Sequence, residues 1–300
     1  MSILDFLNGY KKIIAFFAAY KIGLFDVLSE KETSADTLAN KLNIDETMCR
    51  LLLFKLREAQ FVTKKKRLWF LDETFIEEYN GIDRFKAQIE HEFNIYNRLM
   101  RPDLIISSLK SGYGNRPFDK SGFTDEEQMV YDRAMYGENV KLIALQLYRL
   151  LRGDHGIKAV EIGRSKGAIL EKLKELGLKF DSKSVSDEAV EDSEKYNTAI
   201  IFNTIHYWKE SDLQKQIDQW KEKLTNEARV FIIDFFYEEG DEFVSNILID
   251  WITHGGIYWT VFEELNDFMS VSGYKNTKDI QLKSIHTRML QYQRDQETNV

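Results

Sequence analysis

The sequence predicts an α/β protein in which a mainly helical N-terminal unit precedes a parallel sheet covered by helices. From Ile157 onward, short β-prone runs alternate with helical segments, and this alternation is typical of a parallel sheet with helices on its faces. Within residues 1–82, stretches of helical periodicity are followed by one hairpin. Three helices and a small β-wing form the pattern of a winged helix.

The N-terminal elements follow from periodicity and capping residues. Apolar side chains recur at helical spacing from Ile13 to Leu28 and predict an amphipathic helix. Ser34 begins a short helix, and either Asn43 or Asp45 caps a longer one. Two β-prone runs around the basic turn 64–67 predict the hairpin.

The middle of the chain contains no convincing strand. Helical segments are predicted over about 84–110 and 124–151, with a glycine-bearing loop between them. The predicted division is therefore 1–82, a winged-helix unit; 83–152, a helical connecting region; and 153–300, the sheet domain.

The sheet domain is predicted from four β-prone runs, "IKAVEI", "NTAIIFN", "ARVFIID" and "TKDIQL". The intervening helices are predicted over 166–176, 210–224, 243–252 and 261–272. In such sheets, ligands bind beyond the carboxyl ends of the strands. Candidate functional residues are therefore sought directly after each strand.

Composition limits the classes of function. With 43% hydrophobic residues, the 300-residue chain can bury a large core, and a net charge of −8 disfavours nucleic acid and anionic membranes as partners. The single Cys49 excludes a disulfide framework. The longest apolar run, Ile13 to Tyr20, is too short to span a bilayer, and no targeting segment is recognisable. These features predict a cytoplasmic protein without a membrane partner.

The stretch "KAVEIGRSKGAILEKL", from Lys158 to Leu173, reads as a strand, a glycine turn and a helix. Such a turn can aim backbone N–H groups at a ligand, with Glu161, Gly163 and Gly167 as the candidate residues. The plain alternative is a structural turn in which glycine only supplies a positive φ. Arg164 and Lys166 would suit an anionic ligand, or they are solvated loop charges.

His206 follows one predicted strand and Asp234 ends another, so both are expected at the same edge of the sheet. A histidine there can take a proton from a hydroxyl near neutral pH, and a neighbouring carboxylate can orient it. Alternatively, each residue only caps or packs against the next segment. The five histidines and Cys49 show no paired spacing for a metal site.

Several segments resemble the S-adenosylmethionine-dependent small-molecule O-methyltransferases of the caffeate and hydroxyindole type. The similar segments are "AAYKIGLFDVLSE", "SADTLANKLNIDETMCRLLLFKLREAQFV", "LWFLDETF", "IIFNTIHYWKESD", "EKLTNEARVFIIDFF" and "HGGIYWTVFEELNDFMSVSGYKNTKDIQL". The resemblance implies a Rossmann-like class I methyltransferase domain behind an N-terminal, mainly α winged-helix dimerisation domain, and hence a homodimer.

The resemblance also assigns roles to residues. His206 is the implied general base and Asp234 its orienting carboxylate. The implied cofactor-binding residues are Glu161, Gly163, Gly167 and Asp187. The aromatic residues Trp208, Tyr258 and Trp259 are the candidates for the pocket that binds a small, aromatic or polyketide-like substrate.

Three departures from the family pattern are visible. Ser165 stands at the middle glycine of the loop, and Tyr258 replaces a second carboxylate expected near the histidine. Only 24 positions separate Gly163 from Asp187, and a full connection to a third strand would need about twenty more. The sheet domain is therefore predicted to lack part of the region around its second strand and the helix after it.

These departures keep two other functions open. The fold could carry out acid–base chemistry without S-adenosylmethionine, or serve as a non-catalytic partner. A third hypothesis is a winged-helix regulator, with Arg50, Lys55 and Arg57 on the recognition helix. The net charge and the apolar run Leu51 to Leu53 disfavour it.

Overall fold

The chain divides into two compact units, Met1–Phe93 and Asn94–Val300. The computed structural model describes residues 9–80, 89–90, 92–94, 96, 106, 109–110, 129–130, 133, 137–163, 165–185, 194–238, 244, 258–259 and 261–295. The two units are described separately below. The three-part division expected from the sequence stays a prediction.

The N-terminal unit consists of short helices and one small sheet. Its helices are α1 (Tyr10–Lys21), α2 (Leu24–Glu30), α3 (Ala35–Leu42), α4 (Glu46–Glu58) and α5 (Glu73–Asn80). Its strands are β1 (Thr33–Ser34), β2 (Val62–Lys65) and β3 (Leu68–Leu71), which pair antiparallel in the order β1-β3-β2. The predicted hairpin and the helices after Ser34 and Asp45 are present, whereas the single helix expected from Ile13 to Leu28 is two helices, α1 and α2, because Gly23 breaks it with a φ of +76°.

One face of α4 contributes to the core of this unit. The side chain of Asp45 caps the helix by accepting a hydrogen bond from the Met48 N–H at 2.9 Å. Cys49, Leu53 and Leu56 are fully buried against side chains of the neighbouring helices. The opposite face of α4 leaves large apolar side chains exposed.

The second unit contains a six-stranded sheet. Its strands are β4 (Lys158–Ile162), β5 (Asp181–Val185), β6 (Tyr196–Phe202), β7 (Leu224–Asp234), β8 (Tyr274–Leu282) and β9 (Thr287–Arg294). Their order across the sheet is β5-β4-β6-β7-β9-β8. The first four in this order are parallel, whereas β9 runs antiparallel to both β7 and β8. The predicted α/β class with a mostly parallel sheet is confirmed.

Helices cover both faces of this sheet. They are α6 (Glu138–Leu151), α7 (Ala168–Glu175), α8 (Glu210–Lys223) and α9 (Phe262–Val271). Helices α6 and α7 pack with one set of strand residues, and α8 and α9 pack with the alternating set. Because side chains alternate along a strand, the two sets lie on opposite faces. The predicted segment 243–252 and most of 84–136 lie outside the described residues.

The short connection after β4 retains a second strand. Strand β5 pairs parallel with β4, from Lys158 opposite Asp181 to Ile162 opposite Val185. Within the described part of the chain, β5 is the edge of the sheet, with no third strand beyond it. Residues 186–193, which follow β5 and include Asp187, lie outside the described residues, so the shortening inferred from the sequence stays a prediction.

Candidate active site

The candidate site lies at the edge where the parallel strands β4, β6 and β7 end. Gly163 follows β4, a single 3-10 turn over Ile205–Tyr207 follows β6, and Asp234 is the last residue of β7. The pairing of β6 with both β4 and β7 places these three chain ends next to each other. The sequence-based choice of this edge thus selects segments that are neighbours in the fold.

His206 and Asp234 are in direct contact. Nδ1 of His206 lies 2.9 Å from Oδ1 and 3.0 Å from Oδ2 of Asp234, and both residues are only 1% exposed. An ionised carboxylate only accepts hydrogen bonds, so this contact predicts the His206 tautomer with its proton on Nδ1. A histidine held in this tautomer has its basic lone pair on Nε2, which is the arrangement of a general base.

Backbone donors hold the Asp234 carboxylate in place. The N–H groups of Thr204 and Ile205 donate to Oδ2 at 3.1 and 3.2 Å, and the N–H of Phe235 donates to Oδ1 at 2.9 Å. Hydrogen bonds to the charged form stabilise a buried carboxylate. Asp234 therefore serves as a fixed acceptor that orients His206.

The glycine loop packs directly against the segment that carries His206. Gly163 has φ +112°, and a Cβ at this position would lie 2.2 Å from Oγ1 of Thr204. Thr204 is itself fixed, because its hydroxyl donates to the carbonyl of Phe202 at 2.8 Å. Gly163 is thus required both for the backbone conformation and for the close approach of these two loops.

The carboxylate of Glu161 is engaged within the loop. Ser165 donates its hydroxyl to Oε1, and the N–H of Leu170 donates to Oε2 at 2.9 Å. Both Glu161 and Ser165 are buried, and burial raises the pKa of the Glu161 carboxyl. Glu161 therefore ties the loop to the first turn of α7.

The rest of the loop also has unusual backbone conformations. Lys166 is exposed with φ +53°, and Gly167 has φ +91° with its Cβ position 3.3 Å from the Cβ of Ser184 in β5. Of the two cations proposed for an anion site, Lys166 is described, whereas Arg164 lies outside the described residues.

The three aromatic candidates occupy different environments. Trp208 is buried in the core on the α8 side of the sheet, 6.4 Å from the ring of Trp220. Trp259 packs on Phe268 with 4.9 Å between ring centroids. Tyr258 lies beside the catalytic candidate, because its N–H donates to the carbonyl of His206 at 3.0 Å. Their assignment to a substrate pocket stays a prediction.

The loop fits S-adenosylmethionine in its position and backbone, but its carboxylate is committed elsewhere. Two positive-φ glycines join β4 to α7 next to the His206 segment, so a ligand held here would adjoin the candidate base. Glu161 instead accepts hydrogen bonds from the protein itself. The described residues also contain no group of three or more His, Cys, Asp or Glu suited to a metal ion.

Comparison with known proteins agrees with this architecture. Residues 4–74 match the family described as the O-methyltransferase dimerisation domain. No curated protein sequence gives a significant match. No helix in the described ranges is long and apolar enough to cross a membrane.

Solved structures match nearly the whole chain. The mitomycin 7-O-methyltransferase MmcR is 15% identical, with a TM-score of 0.76 over 97% of this chain and 96% of that one. CalO1, a methyltransferase in calicheamicin biosynthesis solved in an SAH-bound form, is 15% identical, with a TM-score of 0.73 over 98% and 99%. PigF with SAH is 15% identical, with a TM-score of 0.77 over 98% and 100%.

These likenesses define the class of the protein at the level of the fold. The chain has the fold of S-adenosylmethionine-dependent O-methyltransferases, and its N-terminal residues match the dimerisation domain of that family. The resemblance and the fold class expected from the sequence are confirmed.

Proposed function

We propose that the protein is a small-molecule O-methyltransferase in which His206 is the general base and Asp234 its positioning residue. The observation that carries this proposal is the buried contact at 2.9 Å between Nδ1 of His206 and Asp234, at the ligand edge of the sheet. General-base assistance of this kind contributes about 10²- to 10⁴-fold to a rate.

His206 and Asp234 are proposed to remove one proton, that of the substrate hydroxyl. Nε2 of His206 accepts the proton of the substrate hydroxyl, and the adjacent Asp234 carboxylate stabilises the imidazolium that forms. S-adenosylmethionine, when bound, supplies an electrophilic methyl group. Gly163, Gly167 and Asp187 are the residues proposed to hold it, and Glu161 joins them only when released from Ser165.

The proposed acceptor is a small aromatic or polyketide-like molecule with a hydroxyl group. Tyr258 supports this proposal because its backbone contacts His206 at 3.0 Å. An aromatic side chain at the base would pack on the ring that carries the reacting hydroxyl. Trp208 and Trp259 pack with the core and would lie on the side of Tyr258 that faces away from the acceptor.

A second candidate function is acid–base chemistry without methyl transfer, or service as a non-catalytic partner. The specific observation that favours it is the hydrogen bond from Ser165 to Glu161, which turns the loop carboxylate inward. In this case the His206–Asp234 pair would act on a substrate alone, and Lys166 would face an anionic ligand.

We also propose a homodimer formed through the N-terminal unit. The outer face of α4 exposes Met48, Leu51 and Phe54 by 61, 57 and 50%, and α1 exposes Tyr10, Ile13 and Ile14. An apolar stripe on α4 suits a protein surface and would be a poor surface for DNA. This stripe supports the dimer over the winged-helix regulator.

Methyl transfer can be tested with methyl-labelled S-adenosylmethionine and a panel of phenols and hydroxylated polyketides. We expect label in the acceptor with the wild type and at least about a 100-fold loss of rate with His206→Gln. Acceptor conversion without label, lost in the same variant, would instead support the second candidate. Equal rates for wild type and variant would exclude His206 as the base.

A further inference from the structure

A pocket of about 340 Å³ lies beyond the end of β7, on the side away from the glycine loop. We call it the β8–β9 pocket, because five of its seven lining residues come from these two strands and the turn between them. It is lined by Phe236, Glu238, Gln281, Lys283, His286, Thr287 and Arg288. The function proposed above makes no use of these residues.

The β8–β9 pocket adjoins the candidate active site. Asp234 is the register partner of Arg288 across β7 and β9, and Phe236 follows Asp234 by two residues. Strand β6, which precedes His206, is one strand further along the sheet. Two strand spacings amount to about 10 Å, which one small molecule can span.

Arg288 forms a rigid part of the pocket wall. Its Nε and Nη2 donate to the two carboxylate oxygens of Asp279 at 2.7 and 2.6 Å, and Nη1 donates to Glu238 at 3.0 Å. Its guanidinium lies 3.9 Å from the ring centroid of Phe262. A guanidinium held by two carboxylates and an aromatic face is locked and electrically neutralised.

Glu238 is also engaged on both of its oxygens. Oε1 accepts from Arg288, and Oε2 accepts from the side-chain amide of Gln281 at 3.2 Å. Among the described residues, Glu263 also acts on the charge of Arg288, and Glu238 and Asp279 are both hydrogen-bonded to Arg288. They do not neutralise Lys283, which lies exposed on the lining, with His286 next to it on the same turn.

We propose that the β8–β9 pocket binds the acidic group of a small molecule, a carboxylate or a phosphate, with Lys283 as its main contact. His286 supplies a second donor, and Phe236 supplies an apolar wall for the carbon skeleton next to the acidic group. Placed beside Asp234, the pocket would hold the acidic end of an acceptor whose hydroxyl reaches His206. That last role rests on the proposed function, whereas the binding of the anion does not.

The test uses the full chain and three small probes. Benzoate and phenyl phosphate carry the two acidic groups, and benzamide is the neutral counterpart of benzoate. Calorimetric titration should show saturable binding of at least one anion, weaker in high salt, and no binding of benzamide at the same concentration. Benzoate alone would identify a carboxylate site, and phenyl phosphate alone a phosphate site.

Matched variants assign the binding to this pocket. Lys283→Met should weaken the anion at least about tenfold, because one charge-assisted contact is lost. Lys275→Met, at the other end of β8, removes the same charge and should leave the affinity unchanged. Glu238→Gln should tighten binding by about threefold, because it removes the one carboxylate among the described lining residues.

A fourth variant tests the second donor, and three results would overturn the proposal. His286→Asn should weaken the anion, since asparagine tolerates the φ of +50° at this position. Absence of anion binding, equal binding of benzamide, or equal losses with Lys283→Met and Lys275→Met would each overturn it. S-adenosylhomocysteine titrated into Lys283→Met separates the two proposals, because its binding should match that of the wild type.

Discussion

At the scale of single residues, the candidate chemistry depends on how one imidazole is held. In the described part of the chain, four donors surround the Asp234 carboxylate, and one of them, Nδ1 of His206, belongs to a side chain. The other three are backbone N–H groups of segments that end neighbouring strands. The orientation of His206 is therefore a property of the sheet edge.

This arrangement predicts a single neutral tautomer for His206. Nitrogen-15 spectra of the wild type should show the proton on Nδ1, because the Asp234 carboxylate can only accept it. In Asp234→Asn the preference should weaken, since an amide can donate as well as accept. A wild-type spectrum with the proton on Nε2 would contradict the proposed base.

A second prediction at this scale concerns Glu161 and pH. Burial raises the pKa of this carboxyl above its ordinary value of 4.5, so its contribution to stability is fully present below pH 4.5. That contribution is lost as the pH rises through the pKa of the folded state. The free energy of unfolding of Glu161→Gln, relative to wild type, should therefore increase as the pH rises above 4.5.

The measurement is denaturant unfolding of both proteins at several pH values. The informative quantity is how the difference in unfolding free energy between Glu161→Gln and wild type changes with pH. The size of that difference at any one pH also reflects altered hydrogen bonds to Ser165 and Leu170. A difference that stays constant or falls with rising pH would show that the folded protein does not disfavour the ionised carboxylate.

At the scale of elements, the contact between two loops is set by a glycine. Gly163→Ala should destabilise the protein more than Gly177→Ala, although both positions have positive φ. At Gly177 a Cβ meets nothing within 4 Å, so only the backbone cost of about 1–2 kcal/mol applies. At Gly163 the clash with Thr204 should add about 1–3 kcal/mol.

Equilibrium unfolding of the two variants in parallel checks this prediction. Equal losses of unfolding free energy in the two variants would mean that Thr204 moves away at no cost. In that case the glycine loop and the His206 segment would be less tightly coupled than their packing implies.

The strands differ in how well the sequence predicts them. Strands β4, β6 and β7 were predictable because they are apolar runs followed by polar residues. Strands β5 and β9 were missed: "DSKSV" is polar and lies at the edge of the sheet, and five of the eight residues of "TRMLQYQR" are polar. The pocket beside β9 was therefore missed with its strand.

The candidate site was also only partly predictable from the sequence. The contact of His206 with Asp234 was predictable, because both lie at the carboxyl ends of parallel strands that are neighbours. The hydrogen bond from Ser165 to Glu161 was not, since four residues of sequence separation do not fix the side-chain conformations that bring them together. Side-chain direction within a loop depends on the packing around it.

At the scale of the whole molecule, the exposed apolar face of the N-terminal unit predicts a dimer. Leu51→Glu should shift the protein to monomers at micromolar concentration, because a buried unpaired charge opposes association. Asn40→Glu on α3 adds the same charge at another exposed position and should remain dimeric. Sedimentation velocity measures both, and a monomeric wild type or a dimeric Leu51→Glu would contradict this interface.

Methyl transfer itself requires that the altered loop still binds its cofactor. The most direct test is calorimetric titration of S-adenosylhomocysteine into the wild type, Ser165→Ala and Ser165→Gly. Binding by the wild type is predicted, and both variants should bind about tenfold tighter, because Glu161 is released to accept from the ligand's ammonium group. Tightening in Ser165→Gly alone would identify the Cβ as the obstacle. Absence of binding by all three folded proteins at millimolar ligand would contradict methyl transfer.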